Sequence, residues 1–69
     1  MSEYEEFVMR IIRLSEVIRM TGLGRSSIYK KISEGVFPKP VSLGGRAVGW
    51  VLDEVEGWIL DRIEERDSN

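Results

Sequence analysis

The sequence predicts a mainly α fold with one small β-hairpin, a winged helix-turn-helix, and three observations carry that expectation. Two short stretches of helical periodicity meet at a glycine-containing turn, Thr21-Gly22-Leu23-Gly24. Two extended segments flank Gly44-Gly45. A longer amphipathic stretch begins near Asp53. A chain of 69 residues has room for one domain, residues 1–69, around one modest core.

The elements follow in order. Phe7-Val8-Met9-Arg10-Ile11-Ile12-Arg13 is rich in strand formers and reads as ending in a short strand. From Leu14 the pattern turns helical, because Leu14, Val17 and Ile18 share one face at i, i+3 and i+4. Gly22 ends that helix in the left-handed conformation of a tight exit. A second helix over Arg25 to Glu34 buries Ile28 and Ile32, with Gly24 at its N-cap and Gly35 just past its end. Together these form a helix-turn-helix over about residues 14–34. Pro38 and Pro40 enforce an extended connection. Val41 and Leu43 alternate with Ser42, Gly44-Gly45 is the expected two-residue turn, and Ala47 to Trp50 returns, which makes a wing over about residues 41–50. Asp53-Glu54-Val55-Glu56 has the form of a capping box and opens a third helix over about residues 53–66, with Val55, Trp58, Ile59 and Ile63 on its core face. The expected core is Leu14, Val17, Ile18, Leu23, Ile28, Ile32, Phe37, Trp50, Val55, Trp58 and Ile59.

Net charge is −2, but the charge is not evenly spread. Residues 10–50 sum to +6, residues 1–9 to −3 and residues 51–69 to −5. A basic centre between acidic ends is the polarity of an interaction face. The absence of cysteine removes disulfides, thiolate metal sites and thiol nucleophiles, and fits a reducing cytoplasm. The acidic start is the reverse of a secretory leader, and no apolar run approaches the roughly 20 residues of a membrane helix. The chain is therefore expected to be cytoplasmic, without cofactor or metal.

The second helix carries the sharpest signal. With Ile28 and Ile32 turned inward, Arg25, Ser26, Tyr29, Lys30 and Ser33 form a polar surface, and Ser27 joins them in the first turn. In a helix-turn-helix those positions meet base edges and phosphates of the major groove. Arg46, next to the hairpin turn, is long enough to reach an adjacent minor groove. The bland alternative for each is a solvated charge. Enzymatic readings are weaker: Ser26 and Ser27 have no histidine anywhere in the chain to activate them. The carboxylates near Asp53 are explained by helix capping, and those at Asp61, Glu64 and Glu65 lack calcium-loop spacing. Gly22-Leu23-Gly24 follows a helix and lacks the third glycine of a phosphate loop. Trp50 and Trp58 are in phase with apolar neighbours, as core residues are.

Arg13-Leu14-x-Glu16-Val17, Thr21-Gly22-Leu23, Arg25-Ser26-Ser27-Ile28-Tyr29-Lys30, Gly35-x-Phe37-Pro38-x-Pro40-Val41, Leu43-Gly44, Arg46, Trp50 and Glu54-Val55-x-x-Trp58, in this order and spacing, resemble the AlpA family of prophage regulators. The resemblance runs from about Ile12 to Arg62. That family is similar to phage excisionases and to the MerR-type winged helix-turn-helix group. The resemblance implies a partner in double-stranded DNA, a role in activating integrase or excisionase genes or in directing excision itself, and contacts from Arg25, Ser26, Tyr29, Lys30 and Arg46. One departure is Gly24, where the family usually has serine. A rival reading keeps the same surface but docks an integrase or a response regulator without touching DNA. With no heptad pattern for a stable dimer, the chain is expected to be a monomer in free solution that meets neighbouring copies on DNA.

Overall fold

In the computed structural model, which describes residues 9–68, each of the two short helices is ended by a glycine held at positive φ. Helix α1 spans Leu14–Thr21 and exits through Gly22 (φ 74°), whose N–H donates to the Ile18 carbonyl at 2.8 Å. Helix α2 spans Arg25–Ser33. Beyond it, Gly35 (φ 76°) donates to the Ile32 carbonyl and Val36 to the Lys31 carbonyl, both at 3.0 Å, the paired bonds of a Schellman exit. The Thr21 hydroxyl braces the turn between the helices: it donates to the Val17 carbonyl at 2.8 Å and accepts from the Leu23 N–H at 3.1 Å.

The rest is a small sheet and a long helix. Strands β1 (Ile11–Ile12), β2 (Val41–Gly44) and β3 (Ala47–Val51) form an antiparallel sheet in the order β1-β3-β2, and α3 (Leu52–Asp67) leaves β3 without a loop. The winged helix-turn-helix expected from the sequence is present, with one addition. The short first strand pairs with the hairpin, Ile11 opposite Val51 and Ile12 opposite Trp50. Phe7 and Val8, at the start of the predicted strand segment, lie outside the described residues.

The three helices and β3 each send a residue to the centre. Val17 of α1, Ile28 of α2, Trp50 of β3 and Val55 of α3 are fully buried, and Phe37 of the connection is nearly so. The remaining expected core residues, Leu14, Ile18, Leu23, Ile32, Trp58 and Ile59, pack around them, joined by Ile12, Met20 and Val48. Val51 is also buried.

Three local expectations are corrected. The hairpin turn is Gly45-Arg46, not Gly44-Gly45: Gly44 pairs with Ala47, and an irregularity between Ser42 and Gly44 leaves Leu43 as an extra residue in β2. The capping box at Asp53 does not form, because α3 starts one residue earlier, with Val51 as its N-cap and no side-chain cap bond. Its first N–H, that of Leu52, donates instead to the Arg10 carbonyl at 2.8 Å, so the residue just before β1 does the capping. Asp53 and Glu54 remain in the first turn, where carboxylates favour the positive end of the helix dipole. Finally, Ile63 is 39% exposed, since α3 runs on past the body that could cover it.

Candidate nucleic-acid interface

The surface of α2 is set by one side chain. Ile28 is fully buried, which turns Arg25, Ser26, Ser27, Tyr29, Lys30 and Ser33 outward, and all six are exposed. Arg25, Ser26 and Ser27 make up the first turn. No acid stands there, and the N-cap, Gly24, makes no side-chain cap bond, so among the described residues no side chain caps the leading backbone N–H groups. An uncapped, acid-free helix start is favourable for an anion. The serine that this sequence lacks at residue 24 would have taken one of those N–H groups itself.

Two of the predicted residues are only partly free. Tyr29 is 38% exposed and sets its ring edge-on to Trp50, with centroids 6.2 Å apart and planes at 69°. The contact joins α2 to the strand that carries the wing, and leaves the outer part of the phenol for a ligand. The Ser33 hydroxyl donates to the Lys30 carbonyl at 2.7 Å, back onto its own helix. Its oxygen can still accept, but it has no proton to spare for a phosphate. Arg46, through the shift of the turn, stands at the hairpin tip itself and is exposed.

The ion pairs separate two kinds of cation. Among the described residues Arg62 pairs with Glu65 at 3.0 Å, Arg66 with Asp67 at 2.8 Å and Arg19 with Glu16 at 3.2 Å, all exposed but for the half-buried Glu16. Such pairs add little stability but neutralise their members locally. Arg25, Lys30 and Arg46 enter no ion pair with a described residue. The same holds for Lys31 and Lys39, and for Arg10 and Arg13, which belong to neither α2 nor the wing. The acids of α3 occupy the other end of the chain's charge distribution.

The sequence reading missed what holds helix and wing in a fixed relation. The Trp50 indole N–H donates to the Pro38 carbonyl at 3.1 Å, and the Trp58 indole N–H to the Val36 carbonyl at 2.6 Å. Phe37, between the two acceptors, meets Trp58 edge to face at 4.9 Å. The connection from α2 to β2 is thus pinned to β3 and to α3. Both tryptophans were legible as apolar, but nothing in their spacing names an acceptor 12 or 22 residues away.

The sequence pattern of the family described as "Prophage CP4-57 regulatory protein (AlpA)" matches residues 10–63, most of the chain. The protein belongs to the AlpA family. Among relatives, a protein of Enterobacteria phage P4 called "Uncharacterized protein ORF88" is 47% identical over 57 residues, 83% of this chain and 65% of that protein. The chain thus spans just under two thirds of that relative's length. The "DNA-binding transcriptional activator AlpA" of Escherichia coli (strain K12) is 37% identical over 54 residues, 70% of this chain and 77% of that protein. The AlpA match covers α1, α2, the hairpin and most of α3, and stops where the exposed, acid-rich end of α3 begins. Among the described residues of this AlpA-family chain no group of three His, Cys, Asp or Glu could hold a metal, and no helix is long and apolar enough to cross a membrane.

Proposed function

We propose that this AlpA-family protein is a sequence-specific DNA-binding regulator of a prophage or related mobile element, acting in the cytoplasm and not as an enzyme. Helix α2 enters the major groove and the hairpin tip an adjacent minor groove. The observation that carries the reading is the set of exposed cations Arg25, Lys30 and Arg46, on α2 and the wing, that pair with no described acid. Arg25 reads a base, Ser26, Ser27 and Lys30 hold phosphates, Tyr29 contributes from the flank, Ser33 takes part as an acceptor only, and Arg46 reaches from the wing. The regulated genes are those for integrase or excisionase. Direct steering of excision, in the manner of a recombination directionality factor, is the variant of this role that a binding site at the attachment site would favour over a promoter.

Steep loss of duplex binding with added salt is the first expected result, since each phosphate contact releases counterions. Binding that is absent even at low salt would favour the rival reading, a module that docks an integrase or response regulator. Arg25→Ala is expected to lower affinity for the specific duplex by about 1–3 kcal/mol while sparing random duplex. Equal loss on both would reduce Arg25 to a phosphate contact. Arg46→Ala is expected to weaken both and to lower the salt slope by about one unit. An unchanged slope and affinity would make Arg46 a solubilising charge.

One such domain covers only roughly 600–1,000 Å² of DNA-facing surface, so a single copy binds weakly. The protein is a monomer in free solution, and cooperativity comes from copies meeting on same-direction sites, the acidic α3 of one toward the basic centre of the next. A stable free dimer on an inverted repeat would overturn this.

A further inference from the structure

Gly57 is a glycine that its own fold does not require. It lies inside α3, where glycine is disfavoured relative to alanine, and its φ is not in the left-handed region. A Cβ built there meets nothing within 4 Å. Neither backbone conformation nor packing against the described residues explains it. What it provides is close access to the helix backbone from outside.

That access is at the floor of an open groove. Pro38, Lys39 and Val41 form one wall, and Glu54, Trp58 and Asp61 line the other along α3. Glu54, Gly57 and Asp61 share a helix face at i, i+3 and i+7. Neither carboxylate pairs with a described cation, Lys39 included. With two acids against one amine the groove repels phosphate and suits a cationic, partly apolar guest.

The chain carries a guest of that description at the far edge of its sheet. Met9 and Ile11 are 69% and 40% exposed, large apolar side chains on and just before β1. Arg10 and Arg13 beside them are exposed and pair with no described acid. The Cα atoms of Glu54 and Asp61 are about 10 Å apart along a helix. Those of Arg10 and Arg13 span about the same distance in extended chain, where their side chains leave on opposite faces of the strand and flank its edge from either side. The sheet order β1-β3-β2 places this edge on the opposite side from the groove, which opens beside the start of β2, so a molecule does not fill its own groove. The contact is therefore heterologous and runs in one direction.

We infer that the Glu54–Gly57–Asp61 groove receives the Met9–Arg13 edge of a second copy bound at the next site on DNA. The inference rests on the DNA-binding reading above and names the surface by which copies meet. Few charges and little apolar area are involved, so the contact matters only where DNA already holds two copies close together.

The test uses the full chain and a duplex selected by it from random sequence, carrying one copy of the site or two same-direction copies at spacings around one DNA turn, about 10.5 bp. Wild type is expected to bind the paired probe with roughly tenfold or greater cooperativity. Gly57→Leu, which fills the groove floor without a charge change, and the double variant Glu54→Lys, Asp61→Lys are each expected to lose it while keeping one-site binding and a folded circular dichroism spectrum. Arg10→Glu with Arg13→Glu is expected to do the same from the other side. An equimolar mixture of the two charge-reversed proteins is expected to recover cooperativity, because reversed charges then face each other. Cooperativity that survives Gly57→Leu and the lysine pair overturns the groove and leaves DNA-driven assembly standing. One-site binding lost equally with paired binding in the Arg10, Arg13 variant makes those arginines DNA contacts and also overturns it. A wild type that binds one site but shows no cooperativity at any spacing overturns the inference while DNA binding stands, and failure to bind any duplex overturns both.

Discussion

Trp50→Ala is expected to leave the protein largely unfolded at ambient temperature. Trp50 is fully buried at the meeting point of β3, α2 and the connection, its ring edge-on to Tyr29 and its N–H on the Pro38 carbonyl. Truncating a buried tryptophan costs about 3–5 kcal/mol in lost burial and cavity. A chain of this size has only about 3–10 kcal/mol of stability in total. Trp50→Phe keeps most of the ring but loses the bond to the half-buried Pro38 carbonyl, and is expected to cost less, about 1 kcal/mol for the lost hydrogen bond in addition to the cost of the smaller ring. Thermal denaturation followed by circular dichroism gives the order wild type, phenylalanine, alanine. An alanine variant melting within a few degrees of wild type would contradict the core as described.

Gly49→Val is expected to cost about 3 kcal/mol, at the upper end for an overpacked site. Gly49 is buried in β3 between the two edge strands. A Cβ there overlaps Ile11 Cγ2 and comes within 3.1 Å of the Ile12 carbonyl oxygen and 3.2 Å of Leu43 Cδ1. The methyl of Ile11 belongs to a stiff β-branched side chain, and the Ile12 carbonyl is backbone, so neither yields cheaply. The sheet responds by releasing β1, and with it the Arg10 carbonyl that caps α3. Ile11→Ala in the same background is expected to restore part of the melting temperature and Leu43→Ala less. Equal stability of Gly49→Val and wild type would mean that β1 does not close over the hairpin.

The helix-turn-helix was legible because its determinants are local. Val17 and Ile28 declare their faces by spacing within a turn or two, and Gly22 and Gly35 end their helices through φ values that other residues rarely adopt. The polar face of α2 followed directly from the burial of Ile28, which left Arg25, Ser26 and Lys30 outside. The wing was legible as a hairpin but not in its register. Three glycines at 44, 45 and 49 offered more than one turn, and the choice depended on where Gly49 had to lie between Ile11 and Leu43. That crowding comes from β1, more than thirty residues upstream, so a window on the hairpin alone contains no sign of it.

Capping shows the same division. Asp53 and Glu56 match a capping box in sequence, yet the Arg10 carbonyl reaches the Leu52 N–H first, and the helix begins a residue early. What the sequence by itself determined is the order of elements, the residues of the core, the outward face of α2 and the separation of basic centre from acidic end, all consequences of periodicity, glycine and charge along the chain. Only the tertiary structure decided the pairing of the first strand with the hairpin, the turn at Gly45-Arg46, the indole bonds that hold the α2 connection to β3 and α3, and the groove at Gly57, because each depends on atoms far apart in sequence that meet only once the core has closed.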